Sequence, residues 1–177
     1  MWIKMKTLKE HFAQKNTIIV LSVAFLTGLF ISQIEWKNVL VRNANASLAD
    51  IAMKRVTRDH DFVKNIKENV SLDEINAKLS PFNYEFSKNI PYDVRYLNHC
   101  GFGGEDALYL ILQGQNGNIS VFLTNVTSTD PSYSNKVNYS TLTMPVGKSS
   151  IILVGGLEED LKTVANTLTT IVEPIKQ

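Results

Sequence analysis

His99-Cys100-Gly101-Phe102-Gly103-Gly104 places the chain's single thiol beside one of its three imidazoles. Imidazole and thiolate are good ligands for zinc or copper. His99 and Cys100 are therefore the candidate ligands of a metal- or redox-responsive sensor. Their spacing speaks against a shared ion, because neighbours on a strand point to opposite faces. No second cysteine and no C-x-x-C-H accompany them. The alternative is a strand end and glycine-rich turn with Cys100 packed inside as a small hydrophobe. The three glycines fit no phosphate loop, since a strand rather than a helix follows them. A cysteine hydrolase would need Cys100 to meet a distant base such as His60. His60 lies in Arg58-Asp-His-Asp61, which reads as exposed helix. Glu158-Glu159-Asp160 is accounted for by a helix start, where the dipole favours acids. The residues thus point to no enzyme and no cofactor. Tyr133, in a polar stretch, and Tyr139 beyond it are the candidate partner-binding residues, because aromatic side chains are common interface anchors.

These side chains need elements to hold them. Ser47-Leu-Ala-Asp50 opens an amphipathic helix over 47–66, with Leu48, Ile51, Ala52, Val56, Phe62, Val63 and Ile66 on its apolar side. Ser71-Leu-Asp-Glu74 is a capping box for a short helix that Ser80-Pro81 ends. The period then changes to two. Strands are expected at 83–87, 92–99, 107–112, 119–124, 139–144 and 150–154. Asn116-Gly117 joins the third and fourth as a hairpin, since both positions tolerate positive φ. Residues 126–138 read as an exposed loop, rich in Ser, Thr, Asp, Asn and Pro. Leu157 to Val172 keeps helical spacing toward the C-terminus. The fold class is α+β: an N-terminal transmembrane helix, then an antiparallel sheet of four to five strands with helices packed on one face.

The transmembrane helix is read from residues 17–34, an uncharged, mostly apolar run from Thr17 to Ile34. At ~1.5 Å per residue it spans ~27 Å, close to the thickness of a bilayer core. Lys4, Lys6, Lys9 and Lys15 precede it, against Glu10 alone, which keeps the N-terminal flank cytoplasmic. Trp2, Phe12 and Trp36 suit the two headgroup levels. Ala44-Asn-Ala46 lies too far beyond the run for signal-peptide cleavage, so the anchor is retained. The resulting plan is a cytoplasmic tail 1–16, a span 17–35, a linker 36–46 and a periplasmic domain 47–177. Net charge is +1 with no basic stripe, which argues against nucleic acid.

Several segments together carry a resemblance. They are Leu48-Ala-Asp-Ile-Ala52, Ser71-Leu-Asp-Glu-Ile-Asn-Ala-Lys-Leu79, Val94-Arg-Tyr-Leu-Asn-His-Cys-Gly-Phe102, Leu108-Tyr-Leu-Ile-Leu112, Gly117-Asn-Ile-Ser-Val-Phe-Leu123 and Ser150-Ile-Ile-Leu-Val-Gly155. In order and spacing, Ser47 to Ile171 resembles a gammaproteobacterial membrane-protein family, the domain-of-unknown-function family 3379. The resemblance implies a periplasmic sensory or regulatory module; longer members carry an anti-sigma-like segment before the span. Sixteen residues before the run are too few for such a segment. The expectation is therefore an inner-membrane protein bound to the bilayer through 17–34, whose periplasmic domain binds another protein as an accessory or regulatory subunit. A metal or redox sensor and a transmembrane anti-sigma-type regulator are the alternatives.

Overall fold

A computed structural model describes the backbone of residues 36–175 and the side chains from Leu48 onward. The tail 1–16 and the apolar run 17–34 lie outside the described residues. Of the chain's two units, Met1–Leu40 and Val41–Gln177, the second holds all the strands described. No helix among the described residues is long and apolar enough to cross a membrane.

The central strands dictate the architecture. In β3 (Glu105–Gln113) every residue from Ala107 to Leu112 is buried. Successive strand residues face opposite ways, so both faces of this strand need cover. Leu108, Leu110 and Leu112 enter one core, with Ile119, Val121 and Leu123 of β4 (Asn118–Thr124) and Ile151 and Leu153 of β7 (Ser149–Gly156). Ala107, Tyr109 and Ile111 enter a second core, with Phe122, Ile152 and Val154. Together with β2 (Val94–Phe102), β5 (Ser132–Lys136) and β6 (Tyr139–Val146) these form one antiparallel sheet of order β2-β3-β4-β7-β6-β5.

A helix layer covers each face. On the first lie α2 (Leu72–Leu79) and α3 (Leu161–Ile171), through Ile75, Leu79, Val164, Ala165 and Leu168. On the second lies α1 (Trp36–Val63), through Leu48, Ala52, Val56 and Val63. The expectation of helices on one face is thereby corrected, and its physical reason is the unbroken apolar run of β3. The expected four to five strands become six, with a separate pair of β1 (Tyr84–Phe86) and β8 (Val172–Pro174). The C-terminal helix accordingly stops at Ile171. The helix expected over 47–66 runs from Trp36 to Val63 and takes in Ala44–Ala46. Its inward positions exclude Phe62, which is 68% exposed.

Local chemistry fixes the ends. Ser71 Oγ accepts from Glu74 N, and the Glu74 carboxylate accepts from Ser71 N at 2.8 Å, which closes the capping box of α2. Pro81 follows in a 3-10 turn, and Asn83 leaves it at φ 62. Gly103 and Gly104, both at positive φ, form the two-residue turn between β2 and β3. Glycine adopts that backbone with no steric cost, which explains the glycine-rich string.

The β3–β4 connection differs from its expectation. Neither Asn116 nor Gly117 has positive φ, and a four-residue loop separates the paired Gln113 and Asn118. Its geometry comes from elsewhere in the chain. Glu159 precedes α3, is only 8% exposed, and accepts from Asn116 N at 2.7 Å and Gln115 N at 3.2 Å. Gly114 makes room for it, since a Cβ there would stand 2.6 Å from the carboxylate oxygens. The acidic run is thus divided. Asp160 is the N-cap of α3, accepting from Thr163 N, and Glu159 is a loop ligand rather than a first-turn acid.

Glu159→Ala strips the acceptor from two loop amides. The expected cost is about 1–3 kcal/mol, the usual scale for donors deprived of a partner. Urea titration is the check, with Glu159→Gln losing less than Glu159→Ala.

The β5–β6 turn carries the opposite kind of residue. Lys136 pairs with Tyr139 across Val137 and Asn138, and Val137 has φ 47 and is 91% exposed. A left-handed conformation costs a β-branched residue roughly 1–2 kcal/mol, part of which glycine's greater chain entropy would offset. Val137→Gly should therefore stabilise by about 0.5–1 kcal/mol. A lower melting temperature would contradict that account.

Candidate functional site

The sheet separates the two residues of the first candidate site. Cys100 faces α1, is buried in the second core, and adjoins the charges of Arg55, Asp59 and Arg58. Burial pushes its thiol above the ordinary value, away from the thiolate that binds metals and attacks electrophiles. His99 faces the other way. Its Nε2 lies 2.6 Å from the carbonyl of Lys78, and its ring lies 5.9 Å from that of Phe82. Each has a structural role where it stands. No group of three His, Cys, Asp or Glu suited to a metal occurs among the described residues. In the folded protein, Cys100 should react with a maleimide only at the rate of unfolding, and promptly in denaturant. Prompt labelling of the native chain would show a reactive thiol.

An aromatic column crosses the same core. Tyr109 stacks on Phe122 at 4.5 Å and meets Tyr96 edge-on at 5.4 Å. Its hydroxyl pairs with Ser120 Oγ at 3.2 Å. Desolvation pushes Tyr109 up from 10.0 to about 12. Below pH 10 the buried phenol is neutral in both folded and unfolded chains. Between the two values only the unfolded chain ionises, so stability falls as pH rises from about 10 to about 12. Spectrophotometric titration should show one tyrosine ionising late, together with the loss of fold.

Tyr133 and Tyr139, the two partner candidates, are on neighbouring strands but on opposite faces. Tyr139 packs toward the second core and lines a cavity of about 300 Å³ under the end of α1, with His60, Lys64, Asn118 and Leu157. Tyr133 is 59% exposed and pairs with Leu142 of β6. Its hydroxyl donates to Ser140 Oγ at 2.9 Å. Beside it a groove of about 500 Å³ runs between β5 and the start of α3, floored by Leu142, Met144 and Leu161.

The two edges of the sheet are treated differently. Along β2, Glu68 N donates to Arg95 O at 2.9 Å, and the Glu68 carboxylate accepts from Leu97 N at 3.2 Å. Residues before α2 thus cover that edge at Arg95–Leu97. Along β5 no backbone bond from another described segment meets the outer side. Uncovered edges are templates for pairing with another chain. β5 lies within the segment expected to be a loop; its Ser, Asn and Lys content hid it. The Lys136 and Asp50 side chains form an ion pair, which ties the β5–β6 hairpin to α1.

Under this hairpin two hydroxyls are out of place. Thr141 Oγ1 and Thr143 Oγ1 of β6 are buried and have no hydrogen-bond partner, alone among the described side chains. Thr143→Val replaces an unsatisfied hydroxyl with a methyl of equal size. A gain of about 1 kcal/mol is expected on denaturant titration. A loss would mean that the hydroxyl is bonded in the native protein.

A family model described as "Protein of unknown function (DUF3379)" matches residues 3–172. No curated protein and no solved structure matches the chain.

Proposed function

From the premise that this chain belongs to the DUF3379 family of proteins of unknown function, we propose that it is a single-pass inner-membrane protein with a protein-binding domain in the periplasm. In this reading it is a non-enzymatic accessory or regulatory subunit of an envelope complex. Residues 17–34 hold it in the bilayer, and the basic flank before them keeps the N-terminus in the cytoplasm.

One observation supports the protein-binding reading: among the described residues, the chain covers part of one sheet edge and leaves the other open beside an apolar groove. Three of the residues that could do chemistry are engaged in structure. Cys100 is buried with its thiol pushed up, His99 is bonded to Lys78 O, and Glu159 holds a loop. What the domain offers outward is a surface for another chain.

Affinity purification of the full chain in mild detergent, without crosslinking, tests this reading. A defined set of proteins should co-elute in fixed ratio to the chain. Recovery as a free monomer at native expression level would contradict it.

A further inference from the structure

We infer that β5 and the groove beside it bind an extended segment of a partner protein, which joins the sheet as a seventh strand next to β5. This rests on the protein-binding reading above and specifies its chemistry.

The backbone selects the form of the partner. In a two-residue hairpin the pair flanking the turn, here Lys136 and Tyr139, exchanges both ladder hydrogen bonds. Alternation then turns the N–H and C=O of Asn135 and Tyr133 outward. Such a row is satisfied by another strand about 4.8 Å away, in the strand-addition mode of peptide recognition.

The groove selects the side chains. A strand beside β5 places every second residue over the face that carries Tyr133, Leu142, Met144 and Leu161, so apolar residues at alternate positions fit. The charges add no single sign. Glu159 and exposed Asp160 line the groove, their carboxylates held by the Gln115 and Asn116 amides and by Thr163. The Thr163 hydrogen bonds lower the Asp160 carboxyl, and the charge of exposed Lys162 helps to do so. Recognition of the segment therefore rests on its backbone and its alternate apolar residues.

The test uses the full chain in nanodiscs and a phage-displayed library of random peptides. Enriched peptides should alternate apolar residues. Binding of a synthesised peptide should slow amide exchange at Tyr133 and Asn135. Asn135→Pro removes an outward N–H and leaves the ladder to β6 in place, as prolines on edge strands do. It should weaken binding about tenfold or more. Met144→Asp, on a different strand, puts a charge on the groove floor and should do the same, which guards against a disturbed β5. Failure to enrich any peptide, or equal binding by both variants, overturns the inference. Dimerisation of the free chain that Asn135→Pro abolishes would also overturn it, in favour of a second copy as occupant. If the purified complex instead survives both substitutions, the protein-binding reading stands and strand addition falls.

Discussion

The unbroken burial of β3 is the constraint from which the rest follows. Six consecutive residues, Ala107 to Leu112, have no exposed side. Fully burying each large apolar side chain contributes about 1.5–3 kcal/mol, so neither face of the sheet can be left to solvent. The first face is covered by α2 and α3. The second is covered by α1, whose Leu48, Ala52 and Val56 lie over Phe122, Ile152 and Val154. From Leu48 onward α1 is therefore a part of the core.

That arrangement bears on function. With two faces covered by helices and the β2 edge partly covered by Glu68, β5 is the edge that no other described segment bonds along its backbone. The β5–β6 hairpin carries several local departures from ideal structure: Val137 at positive φ, Tyr133 in solvent, and two buried threonine hydroxyls without partners. Departures that stability alone would remove tend to gather at sites of function. Tyr133 lies on the proposed binding surface, while the two threonines face the second core.

Much of this was legible in the sequence, for identifiable reasons. The capping box at Ser71–Glu74, the Pro81 stop and the central strands are written in local chemistry, which tertiary packing did not override. The same holds for the opposite facing of His99 and Cys100, which follows from strand geometry. Two features were not legible. β5 has a polar composition because it is a half-exposed edge, and composition alone made it a loop. Glu159 serves a loop more than forty residues away, and no local signal marks such a contact. Two-sided coverage was implicit in Ala107–Leu112, since a strand without polar alternation has no solvent face.

The central claim is that the open β5 edge is where this domain meets another protein. Its most direct test is a photoreactive amino acid placed at position 133 in the full chain in living cells, with Glu85 of β1, exposed and remote from the groove, as the control position. The account predicts discrete crosslinks to a separate protein from position 133 and none from position 85. Crosslinks of equal yield at both positions, or none from 133, would contradict it.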